Sequence, residues 1–168
     1  MLLLYKQEIS RNQEVEKKSA GLLLYRYHDS APEVFLVHPG GPFGANKDMG
    51  IWSIPKGEIG PEEEPLSAAI REFDEETGFK VDGRFITLTP VRQPGGKLVY
   101  AWALEGDCDA SAVKSNSFSM EWPPHSGVER EYPEIDRAGW FSLNTAKEKI
   151  LKGQIGLLEE LETILSAR

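Results

Sequence analysis

One helix constrains the fold of this chain more than any other feature, because its start, its end and its buried face can all be read from the sequence. We predict it over residues 62–77, with Pro65 in the first turn and Gly78 just past the end. Apolar or small residues recur at steps of three and four, which gives the helix one face suited to burial. The residues of this face are Leu66, Ala69, Ile70, Phe73 and Thr77.

The opposite face of this helix carries acidic residues near the C-terminal end, where basic residues would stabilise the helix more. Glu72, Glu75 and Glu76 fall within roughly 100° of one another on a helical wheel. Like charges at these spacings repel each other, and the helix dipole disfavours each acid there by roughly 0.3–1 kcal/mol. Two interpretations stay open at this point. The acids form a solvated surface, or they bind a hard divalent cation such as Mg²⁺, which prefers oxygen ligands.

The segments around the helix predict an α/β sandwich built around one sheet. Strands are expected at residues 19–27, 33–38, 51–54, 79–90, 97–104 and 138–141. Ser142 is suited to cap a helix over residues 143–151, and a last helix follows Gly156 to about Ser166. Residues 106–127 are polar and are expected to form an irregular, mobile loop. No internal linker is evident, so we expect a single domain over residues 1–168.

The charge and composition of the chain argue against some classes of partner. A formal net charge of -8 disfavours a nonspecific grip on nucleic acid or on an anionic membrane. No stretch approaches the roughly 20 apolar residues of a membrane span, and the short apolar start Met1–Leu4 lacks the rest of a signal peptide. Cys108 is the single cysteine, which rules out an internal disulfide and fits a reducing compartment. We therefore expect a cytoplasmic protein.

A longer pattern runs through the helix and the loop before it. It has the form G-x5-E-x7-R-E-U-x-E-E-x-G-U, where U is a bulky aliphatic or aromatic residue. Its fixed residues are Gly57, Glu63, Arg71, Glu72, Phe73, Glu75, Glu76, Gly78 and Phe79. This segment, residues 57–79, resembles the Nudix box at every fixed position. The preceding residues 52–57 are also similar to the approach to the box in many Nudix hydrolases, including diadenosine polyphosphate hydrolases.

The resemblance implies a fold, a reaction and a set of site residues. The fold is an α/β/α sandwich with a mixed β-sheet and a loop–helix–loop catalytic segment, and the reaction is hydrolysis of a phosphoanhydride bond in a nucleoside diphosphate derivative. A cofactor, Mg²⁺ or Mn²⁺, is implied with it. The residues implied to hold this metal are Gly57, through its carbonyl, Glu72, Glu75 and Glu76. Arg71 would orient the acids, Glu63 would help to hold the catalytic loop, and Gly78 would end the helix.

The general base is not fixed by the resemblance, since it varies within the family. Glu134 is our candidate outside the box, because diadenosine polyphosphate hydrolases resemble this chain in placing a functional glutamate shortly before a tryptophan, here Trp140. Glu129 and Glu131 compete for the same role, and a solvated loop acid is the alternative interpretation.

Further residues are candidates for contact with substrate, each with a plainer alternative. Lys56, Arg92 and Lys97 offer positive charge to a phosphate, or they are surface and hairpin side chains. Trp122 is the tryptophan best placed for stacking, because it lies in a polar segment beside two prolines. The remaining tryptophans (Trp52, Trp102 and Trp140) and His38 are expected to be structural, and no chemistry is assigned to Cys108.

The sequence features point to two different substrate classes. Residues 52–57 and 134–140 favour dinucleoside polyphosphates or nucleoside triphosphates. Pro94 lies where ADP-ribose pyrophosphatases of the family often carry a proline, although Pro-Gly-Gly is also an ordinary hairpin turn. Tyr100 lies somewhat late for the tyrosine typical of the diadenosine class. A nucleotide-sensing module without catalysis is the alternative of another class. The expected partner is a small nucleotide, and the chain is expected to be a monomer or a homodimer.

Overall fold

The core of the protein is a seven-stranded mixed sheet around its first strand, β1 (Lys18–His28). The computed structural model describes residues 16–168. The order of the five main strands is β4-β6-β1-β2-β9, in which β1 and β6 are parallel and the other pairs are antiparallel. The other strands of this sheet are β2 (Ala31–Pro39), β3 (Lys56–Glu58), β4 (Ile86–Thr87), β5 (Val91–Arg92), β6 (Leu98–Glu105) and β9 (Ile135–Ser142).

Helices cover both faces of this sheet. Helix α1 (Pro65–Thr77) packs on one face, and helices α2 (Leu143–Lys149) and α3 (Ile155–Ser166) pack on the other. Alternate residues of β1 serve the two layers, since Leu22 and Leu24 lie with Phe73 of α1, whereas Leu23 lies with Leu158 of α3. Because both faces are covered, β1 is a continuous apolar run. The predicted α/β/α sandwich with a mixed sheet is confirmed.

Several predicted boundaries are wrong, for reasons of packing. Residues 51–54 form no strand; they make two isolated bridges, Val37 with Ser53 and Trp52 with Ile150, and the strand itself comes later as β3. Of the predicted strand at 79–90, only Ile86–Thr87 pairs in the sheet. Its apolar residues, such as Phe79 and Val81, pack under α1 instead.

The segment 106–127 is more ordered than predicted. It contains a single 3-10 turn at Ala110–Ala112 and the strand β7 (Ser117–Glu121). This strand pairs with β8 (Glu129–Pro133) to form a two-stranded hairpin apart from the main sheet. The prediction of irregular structure is therefore wrong for residues 110–112 and 117–121, and the mobility of the segment stays a prediction.

The helices of the described residues can be compared with what a membrane span requires. Within residues 16–168, none of the helices combines the length and the apolar character needed to cross a membrane. The prediction that Met1–Leu4 is not part of a signal peptide concerns residues outside the described range. The assignment of residues 1–168 to one domain stays a prediction.

Candidate active site

Helix α1 ends at Thr77 as predicted, but it begins at Pro65 and not at residue 62. Pro65 stands in its first turn, and Gly78 adopts a left-handed φ of 81° while its N–H donates to the Asp74 carbonyl at 2.7 Å. A glycine is favoured at this position, because a side chain there would be strained. The Thr77 hydroxyl, buried below the last turn, donates to the Phe73 carbonyl at 2.6 Å. These contacts fix the part of the helix that carries the box glutamates.

Strand β3 brings Gly57 against the acidic side of this helix. The strand pairs with β1 in the register Gly57 to Ala20, which places its backbone beside α1. A β-carbon on Gly57 would lie only 2.0 Å from the Glu72 carboxyl carbon. The glycine therefore leaves the space that the Glu72 carboxylate occupies, and its main chain and the carboxylate are adjacent.

Arg71 connects the helix to the loop that precedes it. Its guanidinium donates to both Glu63 carboxylate oxygens, at 2.8 and 2.9 Å, and to the Glu58 carbonyl at 3.0 Å. It also donates to Glu72 at 2.8 Å and to Glu75 at 3.1 Å. Glu63 in turn accepts from the Gly60 N–H at 2.9 Å, and hydrogen bonds from Arg71 and Gly60 lower the pKa of Glu63 to about 2.

The three box glutamates differ in their surroundings. The Glu72 side chain is 14% exposed, whereas that of Glu75 is 42% exposed and lies beside Arg71. Glu76 accepts a hydrogen bond from the Lys56 N–H at 3.1 Å. Burial is the main cause that raises the pKa of Glu76 to about 8, and the nearby charges of Glu72 and Glu134 add to it. Burial likewise raises the pKa of Glu72.

Glu134 belongs to this cluster although it lies far away in sequence. Its charge acts on both Glu72 and Glu76 and raises the pKa of each. Backbone hydrogen bonds hold it in place, since its N–H donates to the Asn116 carbonyl and its carbonyl accepts from Gly40, both at 2.8 Å. Its side chain is exposed. The competing candidates Glu129 and Glu131 lie instead on β8, on the exposed acidic face of the hairpin.

The predicted basic residues divide into two groups. Burial lowers the pKa of Lys56, and the charge of Lys97 lowers it further, so these two lysines lie near each other. Lys56 also faces the charges of Glu76 and Glu72. Arg92, by contrast, donates to Glu16 at 2.6 Å and to the Gly96 carbonyl at 2.9 Å. Its observed partners are those of a hairpin side chain, and its role in substrate binding stays a prediction.

A cavity of about 280 Å³ opens beside Glu76 and Lys56. Apolar side chains from β2, β9 and the connecting segments make most of its wall. They are Val37, Pro39, Ile51, Ile54, Ile135 and Leu151. Ser53 adds a hydroxyl, which donates to the Ile54 carbonyl at 2.7 Å and is held by the buried Gln154 amide. Such a cavity with a few polar groups at one end is typical of a small-molecule site.

The sequence did not reveal the wall of this cavity. Its apolar residues have the pattern of ordinary strand and core positions, and nothing local distinguishes a residue that lines a cavity from one that fills a core. Gln154 and Ser53, 101 positions apart, meet only through the packing of the segment after α2 against residues 51–54.

Trp52, Trp140 and His38 each bind a partner within the fold. Trp52 is buried and donates to Asp48 at 2.9 Å, and Trp140 donates to the Cys108 carbonyl at 3.0 Å. His38 is fully buried, with its two ring nitrogens 2.7 Å from Asp136 Oδ1 and 2.6 Å from the Lys47 carbonyl.

The donor set at the end of α1 fits a hard divalent cation. It consists of carboxylates whose mutual repulsion a cation would relieve, and of a glycine backbone that lies against one of them. Within residues 16–168, no three acid, histidine or cysteine side chains already converge on one point. The reason lies in their present partners, because Arg71 binds Glu72 and Glu75 while the Lys56 N–H binds Glu76. Holding one metal ion would require these side chains to turn towards a shared point.

A helix of acids, a glycine backbone beside it and a cavity next to Glu76 lie together in this α/β/α sandwich. The family model of the NUDIX domain matches residues 16–161. The chain belongs to the Nudix family, and the prediction of the family is confirmed. Members of this family generally use divalent metal cations.

Solved structures support the same fold. The chain is similar to the Ap4A hydrolase of C. elegans in a binary complex, with a TM-score of 0.62 and 24% identity over 90% of this chain and 99% of that one. It is also similar to the NUDIX domain of Shewanella oneidensis NrtR complexed with ADP ribose, with a TM-score of 0.64 and 16% identity over 95% and 97% of the two chains. At these identities the likeness shows the fold alone.

One curated relative covers a smaller region. An octanoyltransferase of Myxococcus xanthus is 32% identical over 103 residues, which make up 60% of this chain and 25% of that protein. The chain thus spans about a quarter of the length of the curated relative it matches.

Proposed function

We propose that this protein is a Mg²⁺- or Mn²⁺-dependent hydrolase that cleaves a phosphoanhydride bond of a nucleoside polyphosphate, with dinucleoside polyphosphates or nucleoside triphosphates as substrates. The observation that carries the proposal is the proximity of Glu72, Glu76 and Glu134, with Gly57 against Glu72 and with Glu76 and Lys56 lining one cavity. Neighbouring carboxylates disfavour each other's charged form, and a cation would offset both this cost and the charge of a phosphate chain.

The residues have distinct roles in this proposal. The carboxylates of Glu72, Glu75 and Glu76 and the Gly57 carbonyl would hold the metal, which when bound withdraws charge from phosphoryl oxygens and acidifies water. Arg71 holds the acids to the loop through Glu63. Other residues act on the substrate or on water, and they are described next.

Lys56 and Lys97 bind phosphate oxygens, since the two lysines lie near each other and Lys56 faces the charges of Glu76 and Glu72. Glu134 takes the proton from the attacking water, because it is exposed and lies close enough for its charge to act on both Glu72 and Glu76. The largely apolar cavity receives the nucleoside.

A second substrate class is favoured by one observation. The chain resembles in fold a NUDIX domain that was crystallised with ADP ribose. The proline that is often associated with that class, Pro94, follows Gln93 in a tight turn, where the Gly96 N–H donates to the Gln93 carbonyl at 3.0 Å. The turn explains this proline without a ligand, so ADP ribose stays the second candidate.

A substrate panel with purified protein tests the proposal. Diadenosine tetraphosphate, the nucleoside triphosphates, ADP ribose and a nucleotide sugar are each incubated with Mg²⁺, with Mn²⁺ and with a chelator, and the products are separated by chromatography. We expect metal-dependent cleavage, fastest with a dinucleoside polyphosphate or a triphosphate. Faster cleavage of ADP ribose would favour the second candidate.

The panel also tests the alternative of a sensing module. If no compound is cleaved while one of them raises the melting temperature, the catalytic proposal fails and nucleotide sensing replaces it. The expectations of a cytoplasmic protein without nucleic-acid partners, and of a monomer or homodimer, come from the sequence and stay predictions.

A further inference from the structure

The hairpin of β7 and β8 has two unlike faces. Phe118, Met120, Trp122 and Tyr132 alternate onto one face and are half-buried, whereas serines and glutamates occupy the other and are exposed. An isolated two-stranded hairpin is marginally stable in water, so its apolar face needs a partner. That partner is the glycine-rich loop of residues 40–50.

The loop and the hairpin meet through aromatic rings. A β-carbon on Gly41 would lie 2.9 Å from the Phe118 ring, so the loop packs directly on this side chain. Farther out, the rings of Phe43 and Trp122 meet edge to face, with centroids 5.2 Å apart. Phe43 nevertheless remains 65% exposed. We call this pair, Phe43 and Trp122, the aromatic platform.

The platform begins where the catalytic cavity ends. A β-carbon on Gly44, the neighbour of Phe43, would lie 3.1 Å from the Pro39 carbonyl and 3.3 Å from Ile51. Pro39 and Ile51 both line the cavity beside Glu76. The same loop is also tied to the acidic cluster, because the Gly40 N–H donates to the carbonyl of Glu134, the residue directly after β8. One loop therefore joins the cavity wall, the acidic cluster and the aromatic platform.

We propose that the platform of Phe43 and Trp122 stacks a second aromatic ring of the substrate, the nucleobase farther from the carboxylates, and so selects dinucleoside polyphosphates over mononucleotides. This inference rests on the proposed function and specifies its substrate class. The cavity of about 280 Å³ beside Lys56 receives one nucleoside, and a substrate with bases at both ends places the other outside it. An exposed ring beside another ring offers the flat apolar surface on which a base stacks.

The test compares two substrates that share one end. The kcat/KM of wild type and of Phe43→Ala is measured for diadenosine tetraphosphate and for ATP under the same metal conditions. We expect Phe43→Ala to lower the ratio of the two kcat/KM values roughly 5- to 150-fold, the range for loss of one stacked base, and to do so through KM of the dinucleotide. Trp122→Phe, which keeps a ring on the hairpin, should lower the ratio less than Trp122→Ala.

Matched measurements keep the result interpretable. Met49→Ala removes another exposed side chain of the same loop, 59% exposed, and should change neither parameter. Melting temperatures show whether Trp122→Ala disrupts the hairpin. If it does, the test is made with Phe43→Ala alone. If Phe43→Ala lowers kcat/KM equally for both substrates, or does not lower it at all, the platform inference is wrong and the proposed hydrolase is unaffected. If wild type cleaves neither compound, the proposed function fails, and the platform inference fails with it.

Discussion

The carboxylate of Glu72 occupies the place that a β-carbon on Gly57 would need, 2.0 Å from its carboxyl carbon. The two residues are 15 positions apart, and they meet because β3 pairs with β1 while α1 packs over the same strands. Glycine therefore leaves room for the Glu72 carboxylate, which any side chain at this position would displace. Glycine at this point of the box thus has a steric reason as well as its proposed role as a backbone ligand.

Gly57→Ala should separate folding from catalysis. The new methyl group would push the Glu72 carboxylate aside, which a long side chain can accommodate, so we expect only a small change in melting temperature without metal. A displacement of a ligand by about 1 Å can cost about 10²-fold in rate, and we expect a loss of that order together with a higher Mg²⁺ requirement. Activity is measured as a function of Mg²⁺ concentration.

The matched control is Gly156→Ala in helix α3, where a β-carbon would meet only Val91 at an ordinary 3.6 Å. It should keep full activity and an equal or slightly higher melting temperature, because alanine favours a helix. Full activity at unchanged Mg²⁺ requirement in Gly57→Ala would contradict the proposed position of the metal.

His38 should prove structural, and its role can be measured by stability. It lies fully buried between the Lys47 carbonyl of the glycine-rich loop and Asp136 of β9. His38→Ala leaves the carbonyl without this partner and removes a packed ring, so we expect a loss of about 2–4 kcal/mol in the free energy of unfolding. Urea denaturation measures it. His28→Ala, at an exposed histidine near the end of β1, should cost less than about 0.5 kcal/mol, and an equal loss in both variants would refute the argument.

The features that sequence predicted best are those set by local spacing. Helix α1 could be placed because Pro65, Gly78 and the apolar steps between them act within a few turns. The hairpin of β7 and β8 was missed, although Phe118, Met120 and Trp122 alternate with polar residues as in a half-buried strand. Its partner strand lies beyond a Pro-Pro turn, and its buried face is covered by a loop that sequence does not place nearby.

The candidate site shows the same division. Arg71 and Glu75 are four residues apart on one helix, so their contact at 3.1 Å could be predicted from spacing. Glu134 reaches the box glutamates only because β9 pairs with β2, with Ile135 opposite Pro39. The family resemblance points to Glu134, but only the pairing of β9 with β2 brings this residue to the site. The apolar cavity wall gave no sequence signal at all.

Glu76 should make the stability of the metal-free protein depend on pH. Its pKa is raised from 4.5 to about 8, so the folded state binds the proton more tightly than the unfolded state does. The free energy of unfolding should therefore fall as the pH rises from about 4.5 to about 8 and then level off, by an amount on the order of a few kcal/mol. Denaturation in a chelator at several pH values measures this slope.

Glu76→Gln is the variant that isolates this effect, because glutamine cannot titrate. It should flatten the slope and equal or exceed the stability of wild type at pH 8, while kcat falls by orders of magnitude through loss of a metal ligand. Wild-type affinity for Mg²⁺ should rise with pH up to about 8, since the proton must leave before the metal binds. A pH-independent stability in wild type would show that Glu76 is ionised in the metal-free fold.

Glu134→Gln tests which glutamate accepts the proton of the attacking water. Because Glu134 faces Glu72 and Glu76 across the site, its loss should lower kcat about 10²- to 10⁴-fold and leave KM within a few fold. Glu129→Gln and Glu131→Gln are matched controls on the exposed face of the adjacent hairpin and should keep wild-type rates. If Glu129→Gln or Glu131→Gln loses much kcat while Glu134→Gln loses little, the general base lies on β8. If all three variants lose little kcat, the general base is a box glutamate.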